Sequence, residues 1–295
     1  MRPLFRILYG FTSIVFSSAA CDSAPAINSN SCGSGDTSEP INATGGCTPV
    51  AMNVADSQLA GPYGLRTFCL GNREYTLQVN EWNSTEKQTL NYGGNYYFKV
   101  TQQQASLATD GAPSGFPSMF IGENGGRKTS GSGMPKRVSS ITSVPTTWNW
   151  TDNGATDSAT NIYNATYDVW FSANADGDPL SYAPSGAYLM VWLHKPTAAQ
   201  PIGGAPQSTG VTLAGISGTW DVWIGPNGPV QVISYVRTAP AYSMSFDLNL
   251  FIRDAVTNHP ETITDGMYLT NIFTGFEIWS GGVGLETTSF CAAVN

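Results

Sequence analysis

One carboxylate, Glu277, stands in the run Tyr-Leu-Thr-Asn-Ile-Phe-Thr-Gly-Phe-Glu-Ile-Trp-Ser-Gly-Gly of residues 268–282, flanked by Phe276, Ile278 and Trp279. A semi-apolar surround raises the pKa of a carboxyl group, because burial penalises the charged form. Such a group keeps its proton until a leaving oxygen needs it, which is general-acid chemistry. A second segment, residues 187–203, reads Ala-Tyr-Leu-Met-Val-Trp-Leu-His-Lys-Pro-Thr-Ala-Ala-Gln-Pro-Ile-Gly. As a strand it puts Tyr188, Met190 and Trp192 on one face and Leu189, Val191 and Leu193 on the other. The aliphatic set suits a core and the Tyr/Met/Trp set a groove. The chain has no CxxC and no pair of histidines, since His194 and His259 lie far apart. No zinc site, other metal or cofactor is expected.

Elements that could position these residues follow from periodicity. Period-two alternation recurs over 75–82, 96–101, 163–172, 186–194, 219–224, 230–236 and 267–279, broken by Gly, Pro and Asn. Such runs predict many antiparallel strands. One stretch, 246–258, repeats Leu248, Phe251, Ile252 and Ala255 at helical spacing, and Asn258-His259-Pro260 stops it. The expected fold is all-β: a jelly-roll β-sandwich of two antiparallel sheets with one short helix. The hollow side of such a sheet can hold an extended chain.

Composition narrows the partners. The chain has 295 residues, 12% of them charged and 12% aromatic, with a net charge of −8. Scattered basic residues and this acidic balance exclude a nucleic-acid partner and favour a neutral ligand and a monomer. Arg2 and Arg6, the apolar stretch 7–16 and the small residues 17–20 read as an export signal over 1–20, too short to span a bilayer. Ser18-Ala19-Ala20-Cys21 resembles a bacterial lipoprotein cleavage site, so plain secretion and a lipid anchor at Cys21 both stand open, with no other membrane contact expected. Residues 21–46 read as a flexible linker rich in Ser, Asn and Gly, and 47–295 as one folded domain. The five cysteines are expected to oxidise outside the cell, with Cys47–Cys69 the favoured bridge. Asn42, Asn83, Asn149 and Asn164 each open a glycosylation sequon.

Over roughly residues 66–295 several blocks, in order, resemble glycoside hydrolase family 12, the endo-β-1,4-glucanases and xyloglucanases, and its bacterial branch in particular. Asn80-Glu81-Trp82-Asn83 stands where the family has Asn-Asn-x-Trp-Gly. Residues 111–122, 139–150 and 164–172 match its Pro-x-x-Tyr-Pro-Ser-x-Phe-x-Gly, Ser-x-Pro-Thr-x and Ala-Tyr-Asp-Ile-Trp blocks. The 200–203 run Gln-Pro-Ile-Gly, the 220–228 strand and the 246–258 helix follow in register. The resemblance implies a β-glucan or xyloglucan substrate, with Glu277 as acid/base and Asp168 as the aspartate that hydrogen-bonds the nucleophile. Trp82 corresponds to a sugar-stacking tryptophan. Asn80, Met190, Trp192, Trp223 and Trp279 are further candidates to line the groove.

One departure is sharp. Where the family's strand reads Glu-Ile-Met-Ile-Trp, with the nucleophile first, this chain has Tyr188-Leu189-Met190-Val191-Trp192, without a gap up to Gln200. Three readings remain. Tyr188 could itself be the nucleophile, as tyrosine is in sialidases, with Asp168 as its base. Asp168 could instead activate water in an inverting reaction with Glu277 as the acid. Or Tyr188 contacts sugar or fills space in a carbohydrate-binding pseudoenzyme that no longer cuts. Glu286 reads as a turn or edge carboxylate rather than a replacement nucleophile.

Overall fold

A computed structural model describes Cys32 and residues 42–295. The expected export signal, Cys21 and most of the expected linker lie outside the described residues. The fold is mostly strand, in two large sheets with a single α-helix among the described residues. In the larger sheet Val230–Arg237, Ala187–His194, Ala165–Ser172, Tyr268–Gly275, Ser118–Asn124 and Arg73–Gln78 lie side by side. The smaller sheet of six strands includes Tyr96–Gln103, Glu286–Ala292 and Pro145–Thr151. This is the expected sandwich, with one difference: Ala187–His194 and Val230–Arg237 pair in parallel, so the larger sheet is not wholly antiparallel.

Alternation fixes which face each strand buries. Ala165, Tyr167, Val169 and Phe171 all point into the core, as do Leu189, Val191 and Leu193. They meet Trp148 from the smaller sheet, whose ring lies 5.5 Å from Tyr167 and 5.8 Å from Phe276. Each large apolar side chain buried this way stabilises the sandwich by about 1.5–3 kcal/mol. The opposite face of the larger sheet is left with Asp168, Trp170, Tyr188 and Met190.

The helix runs Asn249–Asn258, later than the 246–258 expected. Met244 and Phe246 belong to the strand Ser243–Asp247 and are buried there at strand period. Asp247 then starts the helix: its carboxylate accepts from Asn249 N at 2.9 Å and from Val144 N at 2.6 Å. The run 267–279 also differs, splitting into Tyr268–Gly275 and Ile278–Ser280.

The disulfides are Cys32–Cys69 and Cys47–Cys291, which corrects the expected Cys47–Cys69. Cys47 is carried to the far end of the chain by the segment before it. Within 42–46, Asn42 Oδ1 accepts from Thr44 N and Gly46 N, and Asn42 Nδ2 donates to Ser245 Oγ at 3.0 Å. Thr147 Oγ1 donates to Cys47 O at 2.6 Å, seating Cys47 next to the last strand.

Candidate active site

Glu277 sits at the break between two strands, and the break is what aims it. Phe276 is fully buried, and its N–H donates to Pro117 O at 3.2 Å. With that side chain spent on the core, Glu277 projects to the other side and is half-buried. Asn164, fully buried, clamps it from the start of the neighbouring strand. Glu277 N donates to Asn164 Oδ1 at 2.9 Å, and Asn164 N donates to Glu277 O at 3.0 Å. Asn164 Nδ2 also donates to Glu277 Oε2. Burial pushes the carboxyl up to about 7, against the opposing pull of the Asn164 hydrogen bond. Asn164 had been legible only as a sequon; its burial and these bonds give it a different task.

Asp168 lies in the middle of the adjacent strand, opposite Met190 on one side and Phe273 on the other. Its Oδ2 accepts from Trp170 Nε1 at 2.8 Å, while its buried Oδ1 has no hydrogen-bond partner. Trp170 packs 4.9 Å from Phe273, which with Phe116 and Phe120 makes an apolar wall. Desolvation there pushes Asp168 up to about 8, lowered in part by Trp170 and raised further by the charge of Glu277. The two carboxyls therefore sense each other, yet each is hydrogen-bonded to a different residue. Trp170 was not singled out from sequence, although the Asp-x-Trp spacing puts both side chains on one face.

Tyr188 is directly opposite Trp170 in the strand register, with the two rings 5.8 Å apart and edge to face. Burial raises its phenol pKa above the ordinary value, and the negative charge of Asp168 raises it further. A nearby carboxylate therefore works against phenolate here.

The remaining sequence candidates separate by exposure. Trp82 is 46% exposed, near Asn80, a half-buried residue at φ 48°. Trp192, Trp223 and Trp279 bury against one another, with Met190 packed at the edge of the cluster. That burial leaves their indoles little face to offer a sugar. Glu286 pairs with Lys99 at 3.3 Å and accepts from Asn153 Nδ2, at the start of a strand held between two others in the smaller sheet rather than at an edge. Among the described residues the only group with metal-ligand spacing is Cys32, Cys69 and Glu74, and its two sulfurs are joined in a disulfide.

Residues 73–295 match the profile of Glycosyl hydrolase family 12. The chain is 35% identical over 167 residues to a probable cellulase, Cel12b, of Mycobacterium tuberculosis, covering 56% of this chain and 99% of that protein. It is 37% identical over 148 residues to the xyloglucan-specific endo-β-1,4-glucanase A of Aspergillus niger, covering 49% of this chain and 55% of that enzyme. Against the fungal relatives, then, the match spans little more than half their length. Among solved structures, endoglucanase Cel12A of Rhodothermus marinus superposes with a TM-score of 0.70 at 32% identity, over 81% of this chain and 99% of that one.

Proposed function

Because this chain belongs to glycosyl hydrolase family 12, we propose that it is an exported glycoside hydrolase that cleaves β-1,4-glucan or xyloglucan by inversion. Glu277 protonates the leaving oxygen, and Asp168 draws a proton from the attacking water. The observation that carries this reading is the carboxyl pair itself. Burial pushes both Asp168 and Glu277 far above an ordinary carboxylate, and the charge of Glu277 raises Asp168 further. Between about pH 7 and 8 the pair holds one proton, chiefly on Asp168, and the productive form is the one that carries it on Glu277 and leaves Asp168 ionised. One acid and one base is the complement an inverting glycosidase needs.

Tyr188 is assigned a lining role. A nucleophilic phenol has to be deprotonated, and burial together with the negative charge of Asp168 raises the Tyr188 pKa above its ordinary value. Its ring instead packs on Trp170 and fixes the indole that donates to Asp168.

Release of reducing ends from β-glucan and xyloglucan tests the proposal, with Glu277→Gln as the control that abolishes it. Tyr188, packed edge to face on Trp170 at the position where the family's strand carries its nucleophile, favours a second reading, in which the site binds glucan without cutting it. Binding that Glu277→Gln leaves unchanged, with no ends released by the native protein, supports that reading over hydrolysis.

A further inference from the structure

Behind the core, on the outer face of the smaller sheet, lies a cleft of about 380 Å³ that the carboxyl chemistry does not use. Asn149 shows which face this is. It stands in Pro145–Thr151 between Trp148 and Trp150, whose indoles are buried, so its own side chain points away from the core. In the strand register Asn149 faces Ser289 on one side and Ser243 on the other. Its Nδ2 donates to Ser289 Oγ at 2.8 Å, and its Oδ1 accepts from Ser243 Oγ. This ladder underlies the cleft, and segment 49–53 walls it. The wall is fastened along its length. The Cys47–Cys291 disulfide ties its approach to the last strand, Tyr97 Oη donates to Val50 O, and Gly94 N donates to Val54 O at 3.0 Å. The turn that meets it needs Gly93, at φ 106°, because a Cβ there would lie 2.6 Å from Ala55 O. The cleft is therefore formed before any ligand arrives.

Neither an acid nor a base lines the cleft, on a chain whose net charge is −8. It offers the half-buried ring of Tyr96, the amides of exposed Asn53 and Asn95, the hydroxyls of Thr288 and Ser289, and exposed Val50. An ion gains no partner there. A neutral ring with apolar and hydroxyl-bearing faces finds both kinds of contact, which is the chemistry of a sugar. Ser289 Oγ already accepts from Asn149, so its own hydrogen is left to donate outward. The volume falls in the range of small-ligand sites, about 300–1,000 Å³. A sugar held here stays uncut. Trp148 and the rest of the core stand between the cleft and the far face of the larger sheet, where Asp168 and Tyr188 lie.

We propose that this cleft is a second carbohydrate site, without catalysis, that holds one stretch of a neutral β-glucan while another stretch lies in the groove. The identity of the sugar rests on the glucan reading above; the site itself goes beyond it. Two sites on one polymer make the second binding event intramolecular, so a polymer gains from the cleft and an oligosaccharide too short to span both sites does not. Amide shifts on adding cellotetraose locate the binding, measured by NMR on the Glu277→Gln protein so that the probe survives. Affinity for soluble β-glucan is measured by gel retardation, and reducing-end release on both β-glucan and cellotetraose. The variants are Tyr96→Ala, which removes the ring, and Asn95→Ala, which removes an amide at an exposed turn position and leaves the core untouched.

Cellotetraose is expected to shift the amides of Asn95, Tyr96, Thr288 and Ser289 as well as those of the groove. Tyr96→Ala is expected to weaken β-glucan binding at least about tenfold, and Asn95→Ala a few-fold, with release from cellotetraose unchanged. Shifts confined to the groove overturn the proposal and leave hydrolysis standing. Native affinity for β-glucan in both variants also overturns it. Shifts at the cleft that Tyr96→Ala abolishes, in a protein that releases no ends from either substrate, support the second site and sink the hydrolase reading instead.

Discussion

Asn164 carries as much of the site as the acid it holds. Its amide donates to the Glu277 carboxylate, which favours the ionised form and keeps the pKa from climbing further. Asn164→Ala therefore raises the Glu277 pKa above about 7. Since Glu277 must be protonated to act, the alkaline limb of the pH–rate profile moves up, and kcat falls as the backbone clamp is lost. A limb that stays put or moves down would contradict the assignment. Glu277→Gln is expected to cost at least about 100-fold in reducing-end release, the usual range for a positioned acid. Tyr188→Phe separates the roles of that ring. It keeps the edge contact with Trp170 and removes only the hydroxyl, so activity is expected to stay within a few-fold. A loss as large as that of Glu277→Gln would restore the phenol as nucleophile.

Elements aim these side chains, and their joints are where sequence and structure part. Periodicity identified the strand Ala187–His194, and its half-buried Tyr188 and Met190 against fully buried Leu189 and Val191 follow the alternation. The same pattern over 267–279 hid a break, because Phe276 is apolar whichever way it points. Only its contact with Trp148 and the Asn164 clamp show that the chain changes face there. The helix start is hidden for a similar reason: Phe246 is apolar at either period, and the Asp247 bonds to Asn249 N and Val144 N mark where the strand gives way to the helix. Asp247→Ala is expected to cost about 1–2 kcal/mol in denaturant unfolding, since two N–H groups lose their acceptor. The disulfide partners were not legible, because pairing depends on where segment 42–46 packs. Replacing both Cys47 and Cys291 by alanine is expected to cost about 2–5 kcal/mol. An unchanged unfolding midpoint would show that Asn42 and Thr147 alone hold that segment.

At the scale of the whole molecule, four carboxyls set the response to pH: buried Glu81, Glu123 and Asp168 and half-buried Glu277, each raised by desolvation. Glu81 and Glu277 are pushed up to about 7 and Asp168 to about 8, from ordinary values of 4.5 and 3.8. The folded state thus binds more protons than the unfolded chain between those limits. Their stabilisation is complete below the unfolded values and is lost as the pH rises through about 7 to 8. His194, whose pKa burial lowers, works the other way and costs stability as the medium turns acid. Melting temperature is expected to fall by several degrees between pH 6 and 9, and Asp168→Asn to flatten that slope; a rising slope would contradict the burial of these groups. The ordered sequence blocks carried the fold and family, whereas the proton count of the site depends on burial by Phe116, Phe120 and Phe273 from distant strands, which no local pattern displays. Everything functional turns on whether Asp168 and Glu277 act as a base and an acid across one sugar. The direct measurement is the anomeric configuration of the first product, followed by proton NMR within minutes of mixing native protein with β-glucan. The account expects the α anomer to appear first and then mutarotate. The β anomer appearing first, or no new reducing end at all, would contradict it.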